Sequence, residues 1–139
     1  MNDAEFEQLV VEGYDRLPEW VRAKIQNVAL LIEYEPSAED RRLQGLRDDE
    51  TLLGLYKGIP LSERGEMYGV GMTLPDTITV YKEPTLDYAD EECPAEESDE
   101  TYKEHVRRIV AETVWHEFAH HFGMDEHEVR HREAERDTR

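Results

Sequence analysis

Cysteine is almost absent from this chain. Cys93 is the only one in 139 residues, so no intrachain disulfide can form and nothing points to an oxidising compartment. Long apolar runs are missing as well. Stretches such as Val28–Ile32 break off after a few residues, far short of the roughly 20 that a membrane-spanning helix needs. The opening Met-Asn-Asp-Ala-Glu-Phe-Glu has neither the basic flank nor the apolar core of a signal peptide, so a soluble, cytoplasmic protein is expected. Basic residues are scarce: 16 Lys and Arg stand against 34 Asp and Glu, a formal net charge of −18. That balance argues against nucleic acid as a ligand, because neutralising phosphates takes a surplus of cations. It argues equally against docking on anionic lipid. A basic peptide or protein would be favoured, although the same charge also serves solubility alone.

What remains is a chain of 38% hydrophobic and 36% charged residues, long enough for one domain over residues 1–139 with a modest core. Phe6, Leu9, Val10, Gly13 and Leu17 recur at helical spacing behind a cap at Asn2 or Asp3, and Pro18 suits the start of a second short helix. Val28–Ile32 reads as a buried strand. Residues 36–50 read as irregular with one turn of helix. Leu52–Lys57 and Thr77–Tyr81 read as further strands, the second alternating cleanly with Ile78 and Val80 on one face. Asp87 to Glu100 holds eight acids around Cys93 and Pro94, a density of like charge that predicts a mobile acidic loop. Thr101 and Glu104 have the spacing of a capping box. Beyond them Val106, Ile109, Val110, Thr113 and Val114 mark the inner face of a long helix.

That inner face leads into the most informative stretch, His-Glu-Phe-Ala-His-His-Phe-Gly-Met-Asp-Glu at residues 116–126. His116 and His120 are four apart, so their imidazoles leave one face of a helix a turn apart, the separation two ligands need to share a metal ion. Glu117 lies about 100° round the helix from His116, near the metal yet free to take a proton from a metal-bound water. Gly123 predicts the end of the helix. A turn there brings Glu126 back as a third ligand, and two imidazoles with one carboxylate leave a zinc position open, as catalytic sites do. His127-Glu128-Val129-Arg130-His131 also fits the pattern. Its charged neighbours, Arg130 above all, make it a solvated face, with residues 126–135 a last charged helix. Val114, Trp115, Phe118, Ala119 and Phe122 instead place the first copy in an apolar setting.

Several zinc enzyme classes share this helix motif. No methionine follows Glu126, so the methionine turn of the metzincins is missing. A thermolysin-like third ligand could come from Glu133 or Glu135. Cys93 is a faint echo of peptide deformylase. The chain more closely resembles the small bacterial zincin-like metallopeptidases, sometimes called minimal metalloproteases. The resemblance rests on Leu53-Gly54-Leu55-Tyr56-Lys57-Gly58-Ile59-Pro60-Leu61 with Arg64, on Leu74-Pro75-Asp76-Thr77-Ile78, and on His116 to Glu126. Glutamate stands at position 126 where that family commonly carries aspartate. The resemblance implies an α+β fold: a small mixed sheet packed on the long motif helix, with further helices at both ends of the chain.

The expected function is zinc-dependent peptide hydrolysis, with His116, His120 and Glu126 holding Zn²⁺ and Glu117 as general base. Tyr56, Arg64 and Tyr81 are candidate oxyanion donors by chemistry alone. The backbone edge of Leu52–Lys57 or Thr77–Tyr81 is available in principle for an extended substrate. Two other classes stay open: a metal-binding protein without catalysis, and an acidic interaction module with a vestigial site. Substrate identity and oligomeric state are not encoded in any motif here.

Overall fold

A computed structural model describes residues 1–58, 76–93 and 98–121. Helix α1 spans Asp3–Tyr14, and Asn2 caps it, its side-chain oxygen accepting the Glu5 backbone N–H at 2.8 Å. Helix α2, Glu19–Lys24, starts directly after Pro18, whose fixed φ favours that position. Strand β1, Ala29–Glu33, follows, then helix α3, Ala38–Leu43, capped by Ser37 through the Asp40 N–H. Strands β2, Gly54–Lys57, and β3, Thr77–Tyr81, complete the sheet. Helix α4, Lys82–Glu92, leads to helix α5, Asp99–His121.

The sheet is mixed, in the order β1-β3-β2. β1 runs parallel to β3 with Leu30 opposite Ile78, and β2 runs antiparallel with Tyr56 opposite Ile78. β3 is therefore central, which explains why Thr79 and Tyr81 are as buried as Ile78 and Val80. The core forms where α1 and α5 meet each other and the sheet: Phe6, Leu9 and Val10 pack with Val106, Ile109, Val110 and Val114 against Ile78 and Val80. Gly13 permits the close approach of the two helices, because a Cβ there would lie 2.7 Å from the Arg107 carbonyl oxygen. Trp20 stands edge-on to Trp115 and Phe118 at ring-centre distances of 5.9 and 5.7 Å, sealing the α2 end of the core. The architecture is α+β, a small mixed sheet on a long helix.

Three details differ from the sequence expectation. β1 lies where expected but is an edge strand among the described residues, and Leu31 and Ile32, which point to opposite faces, are 42% and 37% exposed. Much of the expected acidic loop is ordered as α4. Pro84 sits in its first turn, where a backbone N–H would have no helical partner, and Thr85 and Ala89 are buried. Residues 94–97 lie outside the described residues. Finally, α5 begins before Thr101. Ser98 is the cap, its hydroxyl accepting the Thr101 N–H at 3.1 Å, while Glu104 pairs with Arg16 and Arg107. The expected turn at Gly123 and the last charged helix also lie outside the described residues.

Candidate metal centre

Helix α5 buries one side along its length and turns the other toward a cleft as it nears its end. Val114, Trp115, Phe118 and Ala119 stay in the core, whereas His116 and Glu117 are half-buried and His120 is exposed. The three polar residues share one wall of a cleft of about 380 Å³, with Ile109, Glu112 and Thr113 behind them along the helix. Thr51 to Gly54 form the opposing wall, and Tyr88 of α4 closes one end. The imidazole centres of His116 and His120 are 6.2 Å apart, with their planes inclined by 50°. A nitrogen–zinc bond is about 2 Å and each ring nitrogen lies about 1 Å from its ring centre, so two rings on one tetrahedral ion stand about 5 Å apart; the two side chains must turn inward by about 1 Å to share one.

The helix can approach strand β2 this closely because of two residues. The Thr113 hydroxyl donates back to the Ile109 carbonyl at 2.7 Å, which satisfies the polar group and leaves the methyl facing the strand. Opposite it stands Gly54, where a Cβ would fall 2.6 Å from that methyl, 2.9 Å from the Thr79 carbonyl oxygen and 4.0 Å from Glu117 Cγ. The absence of a side chain at Gly54 thus brings the β2 backbone against the base of Glu117.

Burial raises the Glu117 pKa above the ordinary carboxylate range, and the charge of nearby His120 partly offsets the rise. Glu112, a turn before His116, accepts two hydrogen bonds from Arg108, each 3.2 Å. Arg108 also pairs with Glu92, so the acids of this end of the cleft are shared with a cation.

Of the sequence-predicted residues, the structure brings His116, Glu117 and His120 together, and Glu126 lies outside the described residues, as does Arg64. The donor set fits zinc in kind, since imidazole nitrogen is a preferred ligand. Among the described residues no cluster of three or more ligating side chains forms. Tyr56 and Tyr81 do not face the cleft as free donors. The Tyr56 hydroxyl donates to Asp76 Oδ2 at 2.8 Å, and Tyr81 is fully buried with its pKa pushed up to about 12 by that burial. β3 is hydrogen-bonded on both sides, which removes Thr77–Tyr81 as a substrate edge and, among the described residues, leaves the outer side of β2.

Sequence reasoning missed one group. Tyr56 stacks on His121, ring centres 3.7 Å apart and planes within 14°, and His121 Nε2 lies 3.8 Å from the Asp76 carboxylate that Tyr56 binds. Asp76 immediately before a strand and a second histidine after His120 were visible in the chain, but no local spacing connects them.

An α+β fold carrying His-Glu-x-x-His on a long helix beside a sheet edge defines a zincin-like protein. Residues 25–136 match the family model of the zincin-like metallopeptidases, and the chain belongs to that family. No curated protein matches it in sequence. Among the described residues no helix is long and apolar enough to cross a membrane.

Proposed function

We propose that this protein is a zinc-dependent metallopeptidase in which Glu117 is the general base and His116, His120 and Glu126 hold the metal. The observation that carries the reading is the half-buried Glu117 standing between two cleft-facing imidazoles, with a strand backbone on the opposite wall. Zinc, when bound, supplies Lewis acidity, which makes water nucleophilic near neutral pH.

The residues of the chain then account for proton movement and orientation. The Glu117 carboxylate removes a proton from the attacking water as its oxygen bonds to the peptide carbonyl carbon. It then passes that proton to the departing amine nitrogen as the C–N bond breaks. Thr51 to Gly54 line the cleft, and β2 is an edge strand among the described residues, so an extended peptide laid along it would gain main-chain hydrogen bonds. The overall charge of −18 favours a basic substrate segment.

Glu117→Gln is expected to keep stoichiometric zinc and lose hydrolysis of a peptide library by about 10²–10⁴-fold. The double variant His116→Ala/His120→Ala is expected to lose the metal. Full zinc-dependent hydrolysis by Glu117→Gln would overturn the mechanism. Stoichiometric zinc without any turnover in the wild-type protein would favour a non-catalytic metal site instead.

A further inference from the structure

The cluster of Tyr56, Asp76 and His121 is not used by the chemistry above, yet it includes the motif-helix residue next to His120. His120 and His121 are adjacent, so their side chains leave α5 about 100° apart: His120 faces the cleft, while His121 lies flat on Tyr56 of β2. His120 is exposed, and its direction depends on the backbone it shares with His121 as well as on its own contacts. A hold on the backbone at residues 120–121 therefore bears on the direction of His120 as well.

The cluster supplies that hold from two strands at once. Tyr56 sits in β2 and hydrogen-bonds Asp76 Oδ2 at 2.8 Å. Asp76 immediately precedes β3, and its backbone carbonyl accepts the Ala29 N–H of β1 at 2.8 Å. The carboxylate is thereby fixed by the sheet on one side and by Tyr56 on the other, 3.8 Å from His121 Nε2. We propose that Asp76 and Tyr56 are positioning residues for the metal centre, holding His121 against the sheet so that His120 keeps its orientation toward the metal. The inference rests on the zinc reading above and deepens it.

Two readouts test it, neither of them turnover. The first is zinc affinity, from competition with a chromogenic chelator. Removing groups that orient ligands typically weakens metal binding by about 10–100-fold. Asp76→Ala is expected at about the tenfold end of that range, because it acts through a neighbouring residue. Asp76→Asn still accepts the Tyr56 hydroxyl and is expected to stay near wild type, which is the conservative rescue. Tyr56→Phe keeps the stack and loses only the hydroxyl, so a smaller loss than Asp76→Ala is expected.

The second readout is amide hydrogen exchange in zinc-free protein. Asp76→Ala should speed exchange over residues 118–121 and leave residues 106–113 unchanged. Should Asp76→Ala not fold, Tyr56→Phe decides by the same readouts. If wild type binds zinc through His116 and His120 while the cluster variants bind it equally well, the positioning role is overturned and the metal site stands. If wild type binds no zinc, the metal reading itself falls, and with it any role of the cluster toward a metal.

Discussion

Glycine at position 54 is the tightest constraint on the candidate site. A methyl group there would lie 2.6 Å from the Thr113 methyl and 2.9 Å from the Thr79 carbonyl oxygen, and the second contact is with backbone that cannot rotate away. Gly54→Ala must therefore push β2 off helix α5, and overpacking of this kind costs about 1–3 kcal/mol. Urea unfolding is expected to show that loss. Pairing the change with Thr113→Ser removes one of the two contacts and should recover part of the stability. Full wild-type stability in Gly54→Ala would mean that strand and helix are not held this close. At this scale the sequence was legible wherever the chemistry was local. His116 and His120 share a face through helix geometry alone, with Glu117 about 100° round from His116, so their proximity was readable from spacing. The stack of Tyr56 on His121 and the bond from Tyr56 to Asp76 were not, because they join three segments that only the finished sheet brings together.

Among the elements, periodicity located α1, α2, β3 and the motif helix, since each carries its apolar stripe within its own residues. It could not place β1 at the sheet edge, because strand order depends on how distant segments pair. It misread the acids of α4 for a related reason: their compensation is tertiary. Arg108 of α5 reaches Glu92, and Lys82 reaches Asp3 of α1 at 2.6 Å. The α1–α5 pair shows the same device most clearly. Arg107 bonds Glu12 at 2.8 Å, Glu100 at 3.0 Å and Glu104 at 3.2 Å. Hydrogen bonds from Arg107 to Glu12 and from Arg16 to Glu104 hold both carboxyls below their ordinary value of 4.5, and the Arg107 guanidinium is correspondingly raised. Carboxyls depressed in the folded state stabilise it above the unfolded value, and the contribution is lost as pH falls through the folded value. Arg107→Met should therefore lower Tm slightly at neutral pH and flatten the fall of Tm as acid is added below about pH 4.5. These groups are largely solvent-facing, so the effect is modest. Parallel acid profiles for the two proteins would show that the network contributes nothing to linkage.

Over the whole molecule these local pairs compete with a general repulsion. The 34 acidic residues exceed the 16 basic ones by 18, an excess that the ion pairs joining α1, α4 and α5 leave unchanged. Salt discriminates between the two effects. From about 10 mM to about 150 mM ionic strength the screening length shrinks from roughly 30 Å to about 8 Å. Long-range repulsion between α4, the acidic face of α1 and the start of α5 then fades, while contacts near 3 Å lose much less. Exposed pairs contribute only about 0–1 kcal/mol each, so the repulsion should dominate the balance. Tm of the zinc-free protein is accordingly expected to rise over that interval, with metal excluded so that salt cannot act through binding. A fall in Tm would mean that the pairs around Arg107 and Arg108 outweigh the net charge. In that case Arg107→Met should reverse the sign, because it removes the most highly connected cation among the described pairs and leaves Glu12, Glu100 and Glu104 to repel one another.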